Sequence, residues 1–375
     1  MMKKVLIVDD SALMRRVLFD IINSDGELQA EEYAMNGLEA LEILRSGKTF
    51  DAMVLDINMP KMNGIELLRE LRRDGIRINV LIVSTLAKEG AKETIQALEL
   101  GAFDFVTKPD SLAEAKGDSF GNRLVSMLYA ATGLSSGAEE KQERFKRESV
   151  SVQEVSRSAS QAVQRIRRGD TSKHSKKPLG SGARKLVALA CSTGGPKALQ
   201  YVIPFLPKNL DAPVLVVQHM PEGFTGSLSK RLDELSEIHV EEAVHGETIQ
   251  KGSVYMARGG SQMRLIEKGK KEHNLSVTVE AARNGLKPCA DIMYESLMKS
   301  SFDEIVCVVM TGMGMDGTKG ILQLEQTNKI YVIAQDEATS TVYGMPKAIY
   351  EAGAVDQVVE LRKIADAITE HVGVR

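Results

Sequence analysis

Up to residue 132, apolar runs of strand length alternate with stretches whose apolar residues recur at helical spacing. Residues 4–8 form a short apolar run that ends in two acids, Asp9 and Asp10. Ser11 follows, and Leu13, Val17, Leu18, Ile21 and Ile22 then share one face of a helix that the serine caps. Residues 52–55 and 80–83 are further apolar strands, and between them Asn63-Gly64 leads into a helix carrying Ile65, Leu67, Leu68 and Leu71. Residues 102–106 supply the last strand. This alternation predicts an α/β domain with a doubly wound parallel sheet over residues 1–132.

Residues 133–182 break the pattern: they are rich in Ser, Lys, Arg, Glu and Gln and nearly lack large apolar side chains. They predict a flexible polar linker with a basic bias, spanning roughly 40 Å on average as a coil. Apolar runs return at residues 185–190, 213–218, 253–257, 275–280, 305–310 and 330–334, with helical spacing between several of them, as over residues 319–326. Residues 183–375 therefore predict a second α/β domain whose sheet is mainly parallel, with a β-hairpin insert near residues 253–280.

Composition narrows the class. A length of 375 residues suits two domains, and a 43% hydrophobic share suffices for ordinary cores. A net charge of −3 lacks the basic excess of a nucleic-acid binder. Cys191, Cys289 and Cys307 are too scattered for a disulfide framework or a zinc site, which points to a reducing cytoplasm. The apolar run at the start is too short for a signal peptide, and no run approaches the roughly 20 apolar residues of a membrane span, so no direct membrane insertion is expected.

In an open parallel sheet, ligands gather at the C-terminal ends of the strands. Asp9, Asp10 and Asp56 all stand there in the first domain. Three such carboxylates repel one another unless a cation sits among them, and hard oxygen ligands suit Mg²⁺. A carboxylate also serves as a nucleophile toward a phosphoryl group, with Lys108 and the Ser84 hydroxyl placed to meet its oxygens. One strand-end acid alone would be a solvated loop residue or a helix cap; the full set is far more specific.

In the second domain, three strand ends carry Cys191-Ser192-Thr193-Gly194-Gly195-Pro196, His219-Met220-Pro221 and Thr311-Gly312-Met313-Gly314-Met315-Asp316-Gly317. If these strands are neighbours, Ser192, His219 and Asp316 converge in one crevice suited to acyl transfer. The histidine activates the serine and the carboxylate orients the histidine. Taken singly, Ser192 could equally be a helix cap and His219 a structural histidine. Cys191 is a rival nucleophile, although a small buried cysteine more often belongs to a core. Gly312 to Gly317 also spells G-x-G-x-x-G, with Asp336 about 20 residues on, as in a dinucleotide-binding oxidoreductase. That reading ranks second, because Asp316 inside the turn would face a pyrophosphate. A non-catalytic, phospho-regulated binding scaffold is a third reading.

The runs VLIVDDSALMR, DAMVLDINMPKMNG, VLIVSTLA and GAFDFVTKP resemble the two-component receiver family, a flavodoxin-like fold. The resemblance implies that Asp56 is the phosphoacceptor and that Mg²⁺ is held by Asp10, Asp56 and the Asn58 carbonyl, with Asp9 acting through water. It further implies that Ser84 and Phe105 form a hydroxyl-and-aromatic switch pair and that Lys108-Pro109 is cis. The runs LVALACSTGGPKAL, VVQHMPEGFTGSLSKRLD, VVMTGMGMDGTKG and ATSTVYGMPKAI resemble the catalytic domain of the CheB methylesterase family. That implies hydrolysis of glutamate γ-methyl esters on methyl-accepting chemotaxis receptors, deamidation of receptor glutamines, and phosphorylation by the chemotaxis histidine kinase CheA. It makes Ser192, His219 and Asp316 the catalytic residues and the Thr193 and Met313 amides the oxyanion donors, with no cofactor for ester hydrolysis. Two segments depart from the family pattern, Ala257-Arg258-Gly259-Gly260 for Ala-Pro-Gly and Lys287-Pro288-Cys289 for Arg-Pro-Ser. Both are expected to lie outside the triad, along the substrate groove.

Overall fold

The computed structural model describes residues 2–85, 88–109, 111, 118–134, 182–268 and 272–375. The chain divides into two units, Met1–Val150 and Ser151–Arg375. Nearly all of the expected linker, residues 135–181, lies outside the described residues.

The first unit is built from β1 (Lys3–Val8), α1 (Ala12–Ser24), β2 (Leu28–Ala34), α2 (Gly37–Arg45), β3 (Ala52–Asp56), α3 (Gly64–Asp74), β4 (Asn79–Ser84), α4 (Lys88–Leu100), β5 (Asp104–Thr107) and α5 (Asp118–Thr132). Its five strands are all parallel, in the order β2-β1-β3-β4-β5. This is the doubly wound, flavodoxin-like arrangement expected from the sequence. Local chemistry sets the helix ends. Ser11 Oγ accepts the Met14 amide, Asn63 and Glu66 close a capping box, and Gly75 ends α3 in the left-handed region at φ 71°. The chain reverses its direction across the sheet between β1 and β3, so Asp9 and Asp56 end adjacent strands at the switch point. The Lys108–Pro109 bond is not cis; among the described residues the cis peptide is Lys287–Pro288.

The second unit places seven parallel strands in the order β14-β13-β12-β6-β7-β9-β8. They are β6 (Lys185–Cys191), β7 (Val214–Gln218), β8 (His239–Glu242), β9 (Ser253–Met256), β12 (Glu304–Val309), β13 (Ile330–Gln335) and β14 (Gln357–Val359). Helices α6 (Gly195–Leu199), α7 (Phe224–Leu235), α8 (Ala290–Ser296), α9 (Thr318–Leu324), α10 (Met345–Glu351) and α11 (Ile364–Val372) connect or flank them. Strands β6, β7 and β12 are buried along their whole length, which is why they read as unbroken apolar runs. The hairpin exists, but its strands are β10 (Gln262–Glu267) and β11 (His273–Thr278). The run at residue 253 joins the parallel sheet as β9, beside β7. The hairpin is tied to α8, because Ser296 Oγ accepts the Leu265 amide at 2.9 Å.

At the N-terminal end of β12, Glu304 is fully buried, with His371 Nε2 2.9 Å from one carboxylate oxygen and Lys329 Nζ 2.9 Å from the other. Burial alone would raise its pKa, but the two partners outweigh burial and hold it at about 2. Nearby, Lys185 Nζ donates to the His371 carbonyl at 2.6 Å. Removing the carboxylate leaves buried His371 Nε2 without its hydrogen-bond partner and the partly exposed Lys329 without its ion pair. Glu304→Ala is therefore expected to destabilise the second unit by about 1–3 kcal/mol, read as a lowered urea midpoint. A wild-type midpoint would show that the cluster contributes nothing net.

Candidate functional site

At the switch point of the first unit, one carboxylate oxygen from each of Asp9, Asp10 and Asp56 lies within 4.8 Å of the others. Asp9 and Asp56 are buried and Asp10 is exposed. Lys108 Nζ sits 2.7 Å from Asp56 Oδ2 and 3.1 Å from Asp9 Oδ2. Burial raises the pKa of both acids, with Lys108 opposing it. Apart from the Lys108 ion pair, Asp9 Oδ2 is a buried oxygen that nothing hydrogen-bonds. That surplus of buried negative charge fits a hard cation such as Mg²⁺. Ser84 ends β4, and its hydroxyl lies 2.7 Å from Thr94 Oγ1 and 3.3 Å from the Gly90 carbonyl. Phe105 is buried in β5, and the Asn58 side chain donates to Glu93. The fold thus brings Asp9, Asp10, Asp56 and Lys108 together, while the Ser84 hydroxyl is engaged with α4.

In the second unit the sheet order makes β6 the neighbour of both β7 and β12. Ser192 follows β6, His219 follows β7, and the turn carrying Asp316 follows β12, so all three emerge at one switch point. Backbone bonds fix the strand ends. The His219 amide donates to the Cys191 carbonyl at 3.1 Å, and the Ser192 amide to the Thr311 carbonyl at 3.0 Å. A Cβ on Gly312 would lie 2.8 Å from Ser192 Cβ and 2.4 Å from Met345 Sδ, so the turn after β12 can pack on the serine only as glycine.

His219 Nε2 lies 2.8 Å from Asp316 Oδ2. Asp316 Oδ2 also accepts the Ala290 amide at 2.6 Å, and Oδ1 accepts the Asp291 amide and the Cys289 thiol, each at 3.1 Å. Burial would raise this carboxyl, but His219 and these donors outweigh burial and hold it at about 2. An ionised Asp316 on Nε2–H leaves Nδ1 as the basic nitrogen of the neutral ring. Thr193 and Met313, the expected oxyanion donors, stand in the turns after β6 and β12. Cys191 is fully buried, its thiol donates to Gln218 Oε1 at 3.0 Å, and burial pushes its pKa up, so it has none of the traits of a nucleophile. Gly317 leads into α9, with Asp316 committed to His219, and Asp336 Oδ1 accepts the Thr339 amide at 3.1 Å. The acid of the dinucleotide reading, Asp336, is thus already engaged, and the Asp316 that counts against it is held by His219.

Sequence reasoning missed the groups that hold the crevice. Buried Gln218 donates to the Ser192 carbonyl at 2.9 Å and the His219 carbonyl at 3.2 Å, joining two of the functional loops. Thr311 Oγ1 donates to the Thr193 carbonyl at 2.9 Å and accepts the Val342 amide at 3.0 Å, while Gln335 Oε1 accepts the Thr311 amide at 2.8 Å. One signal was present: Gln218 and Gln335 are polar residues that end otherwise apolar buried strands. The Lys287-Pro288-Cys289 departure also lies closer to the candidate site than expected, because the Cys289 thiol donates to the Asp316 carboxylate that meets His219. Burial and the Asp316 charge raise that thiol to about 12.

A receiver fold with an acidic switch-point pocket, followed by an α/β unit bearing Ser, His and Asp at its own switch point, defines a response regulator with an enzymatic output domain. Residues 5–116 match the response regulator receiver domain family, and residues 187–368 match the CheB methylesterase family. The chain is 40% identical over 369 residues to "protein-glutamate methylesterase/protein-glutamine glutaminase 1" of Syntrophomonas wolfei, covering 98% of each. It is 39% identical to the Bacillus subtilis protein-glutamate methylesterase/protein-glutamine glutaminase, covering 99% of each. Among solved structures, the Thermotoga maritima CheB methylesterase catalytic domain is 39% identical, covering 50% of this chain and 98% of that one, with a TM-score of 0.48. This chain belongs to the CheB methylesterase family, with a receiver domain ahead of the methylesterase domain. Among the described residues, no helix is long and apolar enough to cross a membrane.

Proposed function

We propose that this protein is a cytoplasmic, phosphorylation-activated methylesterase. It hydrolyses glutamate γ-methyl esters on methyl-accepting chemotaxis receptors and deamidates receptor glutamines by the same acyl-enzyme route. The observation that carries this reading is the 2.8 Å contact of His219 Nε2 with Asp316, at the strand end beside Ser192. Ser192 Oγ attacks the ester carbonyl as its proton passes to His219 Nδ1. The tetrahedral oxyanion meets the Thr193 and Met313 amides. Collapse breaks the bond to the methoxy oxygen, which leaves as methanol with the proton from His219. Water then attacks the acyl-enzyme, giving its proton to His219; the glutamate carboxyl is released, and Ser192 Oγ recovers a proton. A glutamine side chain follows the same course with ammonia as the leaving group, and no cofactor is needed for either reaction.

Asp56 is the phosphoacceptor in this reading, and CheA is the phosphodonor. Asp9, Asp10, Asp56 and the Asn58 carbonyl would hold Mg²⁺, which offsets negative charge on the phosphoryl group when bound. Lys108, already 2.7 Å from Asp56, meets the phosphoryl oxygens. Ser84 would exchange its Thr94 contact for a phosphoryl oxygen, and Phe105 would repack with it, the two together forming the switch. Residues 133–182 serve as the tether between the domains over 1–132 and 183–375.

The test is methanol release from methylated receptor membranes, with and without acetyl phosphate and Mg²⁺. The rate of the intact protein is expected to rise with the phosphodonor, and Asp56→Asn is expected to make the rate indifferent to it. A folded Asp56→Asn protein that still responds would remove Asp56 from the role of phosphoacceptor.

A further inference from the structure

The turn that carries Asp316 is closed by one backbone bond, in which the Thr318 amide donates to the Met315 carbonyl at 3.1 Å. It runs from the end of β12 through Gly314, at φ 82°, to Gly317, at φ 92°, where α9 begins. Gly317 offers α9 no side-chain cap. The missing acceptor comes from a different helix. Asp291, in the first turn of α8, is buried, and its Oδ1 accepts the Gly317 amide at 3.0 Å and the Gly320 amide at 2.7 Å. The reverse bonds complete the arrangement, since Asp316 accepts the amides of Ala290 and Asp291 at the start of α8. Each helix is thus capped by a carboxylate from the other's leading segment.

The approach is too close for ordinary side chains. A Cβ on Gly320 would lie 2.8 Å from Tyr294 Cβ and 2.9 Å from the Asp291 carbonyl oxygen. Tyr294 is itself anchored, its single hydroxyl proton shared between the Ala188 carbonyl in β6 at 3.1 Å and the Val308 carbonyl in β12 at 3.3 Å. The α8–α9 pair is therefore registered against the strands that present Ser192 and Asp316. Two buried carboxylates this near each other are unfavourable. Burial raises the Asp291 pKa, the Gly320 and Gly317 amides oppose that, and the Asp316 charge adds to it. A residue kept at such cost, with no contact to His219 among its hydrogen bonds, calls for a role.

We propose that Asp291 is a positioning residue for the hydrolysis: by gripping the Gly317 and Gly320 amides it fixes the turn that aims Asp316 at His219. This rests on the Ser192–His219–Asp316 reading given above. A misplacement of about 1 Å in a catalytic group costs on the order of a hundredfold. Loss of the grip releases the backbone immediately after Asp316.

The experiment uses the intact chain with phosphodonor and follows methanol release from methylated receptor membranes across receptor concentrations. It compares wild type, Asp291→Ala, Asp291→Asn and Ser192→Ala, with folding checked by circular dichroism and thermal melting. Asp291→Asn keeps the oxygen that accepts both amides. It is expected to retain kcat within about threefold of wild type, whereas folded Asp291→Ala loses kcat by about 10- to 100-fold with KM within about twofold. The inference is overturned if folded Asp291→Ala keeps wild-type kcat, or if folded Asp291→Asn is damaged as badly as the alanine variant, since the amide grip would then not be what matters. If Asp291→Ala does not fold, Asp291→Asn decides alone: wild-type-like kcat supports the grip, and collapse overturns it. Ser192→Ala separates the two readings. An active Ser192→Ala would bring down the triad itself, while an inactive one beside a fully active Asp291→Ala removes only the positioning role.

Discussion

Replacing Ser192 with alanine is expected to lower methanol release by about 10⁴-fold or more, about 5.5 kcal/mol of transition-state stabilisation. The change is confined to one atom. Ser192 Cβ packs against Gly312, and alanine keeps that Cβ, so the turn after β12 stays seated. The Ser192 amide bond to Thr311 and the Gln218 bond to the Ser192 carbonyl involve the main chain and survive the substitution. What disappears is the hydroxyl proposed as the nucleophile. A folded Ser192→Ala protein that kept about a tenth of the wild-type rate would be incompatible with an acyl-enzyme at this residue, because nucleophile removal elsewhere costs far more than tenfold.

Asp316→Asn is expected to cost about 10⁴-fold in kcat, by a different route. An amide nitrogen in place of Oδ2 would donate to His219 Nε2 and drive the ring proton onto Nδ1, the nitrogen that accepts from Ser192 in the proposed reaction. That same nitrogen would face the Ala290 amide, now 2.6 Å from Oδ2, and set two donors against each other. Turning the side chain around keeps the tautomer but places the donor against the Asp291 amide and the Cys289 thiol. Asparagine therefore disturbs either the base or the start of α8.

The folded carboxyl titrates at about 2, against an ordinary value of 3.8, which corresponds to about 2 kcal/mol. Because the folded pKa is depressed, this stability is present in wild type above about pH 4 and is lost as pH falls toward 2. Thermal melts at neutral pH should show Asp316→Asn less stable than wild type, and the gap should close in acid. A variant with wild-type kcat would exclude Asp316 as the group that orients His219.

Strands buried on both faces were legible because burial demands unbroken apolar runs. β1, β3, β4, β6, β7, β12 and β13 all fall where such runs stand. The strands left unnamed were β2, β8, β10 and β14. Three of them lie at sheet edges and the fourth lies in the two-stranded hairpin, where solvent admits polar residues, as in Leu28–Ala34 with its two glutamates. The run at residue 253 was legible as a strand but not as a member of the main sheet, since pairing partners are set by contacts between distant segments.

By itself, the sequence determined the two α/β units, the acids at the first switch point, and Ser192, His219 and Asp316 as strand-end residues. Each of these follows from local pattern and from where reactive side chains stand relative to it. Only the tertiary structure decided that β6 lies between β7 and β12, that Asp316 meets Nε2 of His219, and that Ser84 turns toward Thr94. It alone showed Gln218, Thr311, Cys289 and Asp291 around the loops of Ser192, His219 and Asp316. These residues act through hydrogen bonds to main chain or side chains 24 or more positions away, with the Gln218–His219 bond the near exception. Such bonds leave no periodicity and no spacing rule in the chain, because their geometry exists only once the sheet has brought the strand ends together.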